Sequence, residues 1–168
     1  MKPSPRNPDD DAARVAAETL EEAAHQAWDA GDLKAAFDNF RAGAALGWRG
    51  CMINRGYFHD EGLGTLRSKH EAMCWYRKAF ESGDVAAATN VAILFRERGN
   101  QRRMCHWLRR GVLRGDGDAL VDLARCHLDG SGVPKSKSRA VACARKALRS
   151  NWISVGAIED ARRLLSFV

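Results

Sequence analysis

The chain has 168 residues, 45% of them hydrophobic and 29% charged, with a net charge of +6 and a pI of about 9.3. That composition supports one compact domain or a short repeat array, and it excludes global disorder. It contains no run of about 18 apolar residues of the kind a membrane-spanning helix needs. The opening MKPSPRNPDDDAAR has no apolar stretch and is not read as a secretory signal, so a cytoplasmic location is expected.

In chain order, residues 1–8 carry Pro3, Pro5 and Pro8 and are expected to be a disordered tail. Asp9 to Asp11 favour the positive end of a helix. A first helix through AARVAAETLEEAAHQAWDA is expected to turn Val15, Leu20, Ala23 and Ala27 to one side. Gly31 stops it, and Asp32 caps a second helix that puts Phe37 and Phe40 on one face. Asp84, Asp116 and Asn151 stand near later helix starts and are expected N-caps. Pro134 falls where a loop enters a helix, a place that tolerates it. The final SVGAIEDARRLLSFV reads as a terminal capping helix over 153–167.

Much of this is one unit repeated. Gly47 recurs as Gly83, a step of 36 (83 − 47), and Gly83 as Gly115, a step of 32 (115 − 83). Between helices the first and third copies carry Gly62-Leu63-Gly64 and Gly130-Ser131-Gly132, where the middle copy has the shorter Arg98-Gly99-Asn100. Core slots keep phase while loops vary in length, since loop insertions cost little. A partial earlier copy matches Gly31, Ala36 and Gly43 to Gly99, Met104 and Gly111. The expected units are approximately 11–46, 47–82, 83–114 and 115–150, within a single domain over 9–168. About four helical hairpins at this period imply an all-α solenoid of about nine helices, because one hairpin cannot bury its own apolar face. The expected core residues are Gly56, Ala72, Trp75, Ala79, Ala92, Phe95, Trp107, Ala124, Ala140 and Ala147. The small ones allow close helix approach, and Trp75 and Trp107 are expected to fill gaps between units.

The pieces NVAILF from Asn90, DLARCHLDGSGV from Asp122 and EAMCWYRKAFESG from Glu71 resemble Sel1-like repeats, relatives of the tetratricopeptide repeats. The likeness covers roughly residues 30 to 150. The sequence departs from the family pattern at Arg55, at His59 and His127 in place of Tyr, and at Cys143 in place of Trp. The resemblance implies a short right-handed superhelix of antiparallel hairpins that serves as a protein-interaction scaffold, with the first helix of each hairpin on the concave side.

Candidate sites compete with packing roles. Cys105-His106 and Cys126-His127 hold zinc-ligand types, but neighbours on a helix point about 100° apart and the repeat register puts Cys105, Cys126 and His127 in core slots. Five cysteines, Cys51 and Cys74 among them, cannot all pair within the chain and read as small buried hydrophobes. Cys74 with His70 at i, i+4 has no recognisable orienting acid or oxyanion hole, so catalysis is not expected. The GLG and GSG loops lack the rest of a phosphate-binding motif and are read as turns. No metal and no cofactor are expected.

Two features point to a partner. Residues 96–150 carry fourteen Lys and Arg against five acids, a net +9, while residues 1–50 carry six against nine, a net −3. Arg96, Arg98, Arg102, Arg103, Arg109, Arg110 and Arg114 are the heart of the basic stretch. Asn54, Asn90 and Asp122 share one repeat slot, where a side chain either clamps a partner backbone or fixes its own hairpin. The tentative partner-binding set is Asn54, Asn90, Asp122, Arg96, Arg98, Arg102, Arg103, Arg109 and Arg110. The expected function is a non-enzymatic adaptor that binds a protein with an acidic surface through its concave and basic C-terminal face. The alternatives are a dedicated immunity protein that neutralises an antibacterial toxin, and nucleic-acid association through the Arg-rich 96–114 face. No membrane or small-molecule partner is expected.

Overall fold

The computed structural model describes residues 8–167; most of the expected tail, residues 1–7, lies outside them. Among the described residues there are nine α-helices, and the only β pairing is an isolated Asp116–Trp152 bridge. The helices divide into two compact units, Met1–Asp84 and Val85–Val168.

The first unit holds α1 (Pro8–Asp29), α2 (Leu33–Ala45), α3 (Arg49–Glu61) and α4 (Lys69–Glu81). Asp32 caps α2, its carboxylate accepting from the Ala35 N–H at 2.9 Å. Phe37 and Phe40 are both buried, as their spacing requires. The inner face of α1 is only in part the expected one, with Leu20, Ala23 and Ala27 half-buried. Ala17 and Ala24 are buried, whereas Val15 is 53% exposed. Alanines seven apart form a narrow stripe that lets α2 approach α1, and the bulkier valine falls outside it.

The α3–α4 hairpin closes on Tyr76, not on Trp75. A Cβ added at Gly56 would lie 2.7 Å from the Tyr76 ring, so only glycine admits the phenol there. Tyr76 is 2% exposed. Its hydroxyl donates to Asp60 at 3.4 Å, and Asp60 is also paired with Lys69. Trp75 corrects the expected core set: it is half-buried, with the Arg55 guanidinium 3.9 Å and the Lys78 ammonium 4.2 Å from its ring centroid. One residue of helical rotation, about 100°, separates the two neighbours, and the tyrosine takes the inward position.

The second unit holds α5 (Ala87–Glu97), α6 (Gln101–Leu113), α7 (Gly117–Asp129), α8 (Lys137–Ala147) and α9 (Val155–Ser166). Asn100, Asp116, Ser136 and Ser154 accept backbone N–H bonds at the starts of α6, α7, α8 and α9. Asn151 is not a cap. α5 begins after Ala86, and Ser154 caps α9, because ahead of α9 the chain turns through further residues before helical geometry begins. Pro134 lies before α8, and its carbonyl accepts from His127 Nδ1 at 3.2 Å.

The core of this unit runs through Leu120, Val121 and Ala124 of α7, Ala140, Ala144 and Ala147 of α8, and Ala161 of α9. Phe95, Trp107 and Ala92 are buried as well. The two units share one plan. α2 and α6 start 68 residues apart (101 − 33), as do α3 and α7 (117 − 49) and α4 and α8 (137 − 69). α9 has no such counterpart in the first unit.

Candidate functional site

The shared slot of Asn54, Asn90 and Asp122 is half-buried in all three places. Asn54 Nδ2 donates to the Gly50 carbonyl one turn earlier, at 3.0 Å. Asp122 accepts from Arg125 on its own helix, also at 3.0 Å. Two of the three side chains are thus turned to their own helix. Arg125 reaches further, to Asp160 of α9 at 2.5 Å, and Asp160 also holds Arg163 at 2.8 Å. Burial works against the charge of Arg125, but Asp160 and Asp122 outweigh it and lift its pKa above the ordinary value.

The basic stretch is presented to solvent. Arg96, Arg98, Arg102, Arg103 and Arg109 are exposed, and Arg110 is half-buried with its guanidinium 4.1 Å from the centroid of Trp107. Trp107 itself is 6% exposed, so its face is not offered to a nucleic-acid base. Arg98 and Arg102 line an open hollow of about 700 Å³ whose other wall is Gly130, Gly132, Val133 and Pro134.

Beside this hollow lies a smaller groove of about 170 Å³ between α5, α6 and α7. Its floor is apolar: Ala92, Met104, Leu108 and Cys126. Its rim carries Ile93 and Arg96 from α5, and Asp122, Arg125 and Asp129 from α7. The sequence reading placed Arg96 and Asp122 on the binding surface but did not find the groove they share. The available signal was the comparison of residues 68 apart.

The first unit holds a contiguous cluster of rings instead. Trp28 stands 5.0 Å from Phe58, 5.7 Å from Tyr57 and 6.3 Å from Phe40 by ring centroids. His25 packs on Trp28 at 6.1 Å. Tyr57 is 40% exposed.

The buried Cys51 and Cys126 are poor nucleophiles. Burial, and then the neighbouring Cys105, push Cys126 up to about 12; burial and Glu21 do the same for Cys51. Cys105 Sγ donates to the Ser131 carbonyl at 3.1 Å. Cys74 is half-buried, and the exposed His70 sits 3.8 Å from Glu71. Among the described residues, no group of three or more His, Cys, Asp or Glu is arranged to hold a metal ion. None of the described helices is long and apolar enough to cross a membrane.

Residues 50–84 and 117–151 match the Sel1 repeat family model. The fold is similar to a Sel1 repeat protein from Oxalobacter formigenes, with a TM-score of 0.72 and 28% identity, over 82% of this chain and 59% of that one. Over those two stretches the chain carries Sel1-like repeats. It is also similar to a protective antigen of uropathogenic Escherichia coli strains that displays an SLR fold. There the TM-score is 0.59 and the identity 26%, over 67% of this chain and 25% of that one. The Sel1-like chain therefore spans about three fifths and one quarter of these two relatives. No curated protein matches it. Its all-α solenoid fold is that of the Sel1 family, whose repeats generally mediate protein–protein interactions and typically form non-enzymatic scaffolds.

Proposed function

We propose that the chain is a non-enzymatic binding module for a protein with an acidic surface, engaged through the arginine-bearing face of the Val85–Val168 unit. The observation that carries this reading is the segregation of charge. That unit holds sixteen Lys and Arg against seven Asp and Glu, a net +9, while Met1–Asp84 holds eleven against fourteen, a net −3. The exposed arginines of 96–109 concentrate this excess on one stretch, where it steers an acidic partner and raises its association rate. The burial of Trp107 favours a protein over single-stranded nucleic acid, which needs open rings to stack on.

The test is capture from extract of the source cells, with the wild-type chain and an Arg98→Glu/Arg102→Glu/Arg109→Glu variant compared side by side. A partner retained by the wild type and lost at least tenfold by the variant supports the reading. A tight one-to-one complex identifies a dedicated inhibitor of that partner, and weaker binding to several proteins identifies an adaptor. Retention of a labelled oligonucleotide, with affinity falling steeply as salt rises, overturns the protein-partner reading.

A further inference from the structure

The groove of the second unit has a filled counterpart in the first. With the 68-residue offset, Ile93, Arg96, Leu108, Arg125 and Cys126 around the groove correspond to His25, Trp28, Phe40, Tyr57 and Phe58. In the first unit all five are rings, and Trp28 is the wedge among them, in contact distance of Phe58, Tyr57 and Phe40. In the second unit the wedge position is Arg96, which is exposed, and two of the surrounding rings have become Leu108 and Cys126. Met104 in place of Ala36 recovers part of the lost volume, and about 170 Å³ remains. An apolar cavity of about 150 Å³ is enough to hold benzene. The space is well below the roughly 300–1,000 Å³ of small-ligand sites, so it suits one side chain and not a metabolite.

We propose that this groove receives a single aromatic side chain, tryptophan or phenylalanine, from an acidic segment of the partner. The inference rests on the acidic-partner reading above. Trp28 shows, within the same chain, what the trough between three such helices accepts: a flat ring set edge-on against Phe58 at 5.0 Å and Phe40 at 6.3 Å. The charged residues at the rim balance, Arg96 and Arg125 against Asp122 and Asp129, and Asp122 is held by Arg125. The surplus of positive charge comes from Arg98 and Arg102 in the adjoining hollow. An aromatic anchor in the groove leaves the acids beside it within reach of those two guanidinium groups. Buried aromatic anchors ringed by polar contacts dominate protein interfaces in general.

Three labelled heptapeptides test this by fluorescence anisotropy: one tryptophan flanked by three acidic residues on each side, the same peptide with alanine for tryptophan, and the same peptide with lysine for every acid. The wild type is expected to bind the tryptophan peptide at least tenfold tighter than the alanine peptide. Arg96→Trp, which puts the first unit's own wedge into the groove, reduces that preference below threefold. Arg96→Gln, which removes only the charge, weakens both acidic peptides alike. Methyl resonances of Ile93, Met104 and Leu108 shift on titration with the tryptophan peptide. Equal binding of the tryptophan and alanine peptides, or a preference that survives Arg96→Trp, overturns the groove and leaves the acidic-partner reading standing. Failure of both acidic peptides to bind, or equal binding of the lysine peptide, overturns both. Arg96 is exposed, so neither substitution removes a core contact; circular dichroism and melting temperature confirm that the variants are folded.

Discussion

The α3–α4 hairpin and the α7–α8 hairpin solve the same packing problem with opposite volumes. In the first, Gly56 leaves room for Tyr76 to lie between the helices. In the second, the same two slots are Ala124 and Ala144, 68 residues on, both buried in one aliphatic cluster. One hairpin combines the smallest residue with a large ring, the other uses two methyl groups. What the repeat holds fixed is helix register, and the residue types at these two slots trade against each other within it.

Tyr76→Ala is the largest blow to this arrangement. It empties the space against Gly56 and removes the hydroxyl from the buried Asp60 carboxylate, and should cost about 3–5 kcal/mol in denaturant titration. Gly56→Ala should cost about 1–3 kcal/mol, since its Cβ would lie 2.7 Å from the phenol ring and helices on both sides resist moving. The double variant copies the second unit's pair into the first. Its cost should fall below the sum of the two by at least 0.5 kcal/mol or so, because the added methyl then enters a space the ring has left. Strict additivity would break the volume-exchange comparison.

Asp116→Ala should cost roughly 1–2 kcal/mol, through loss of the α7 cap and of the Thr89 hydroxyl's bond to the same carboxylate at 3.0 Å. Its counterpart in the first unit is Trp48, which makes no side-chain cap to α3 and instead donates from Nε1 to Glu21 of α1, so Trp48→Ala should loosen the α1 contact without costing α3 a cap, as amide exchange in the two helices would show. The smallest effect concerns pH. Burial first, then the Arg55 charge, hold His59 below the ordinary value of 6.5, and the Glu71 carboxylate only partly opposes them. The folded state thus favours neutral imidazole. Its contribution is intact above pH 6.5 and is lost as the pH falls from there towards the folded pKa. Melting temperature should therefore drop on acidification from neutral pH, and His59→Leu should flatten that slope.

The architecture was legible because period and capping are local. Glycine spacing gave the hairpins, and Asp32 and Asp116 announced their helices through side chains that reach only three residues. The errors lie where one turn of helix decides direction. Val15 and Ala17 are two residues apart, Trp75 and Tyr76 are adjacent, and hydrophobicity alone ranks the wrong member of each pair as buried. Asn151 has the chemistry of a cap but stands too far before its helix. The arginines were visible as a basic run. The groove was not, because it is made of absences: a ring replaced by Arg96 and another by Cys126, which mean nothing until the two units are overlaid.

The scattered thiols leave the chain with ready-made chemical handles. Cys51, Cys105 and Cys126 are walled in, while Cys74 of α4 and Cys143 of α8 are only half covered, one in each unit. A maleimide dye applied to the native protein should therefore decorate just those two sites, giving one reporter per unit without any engineered cysteine.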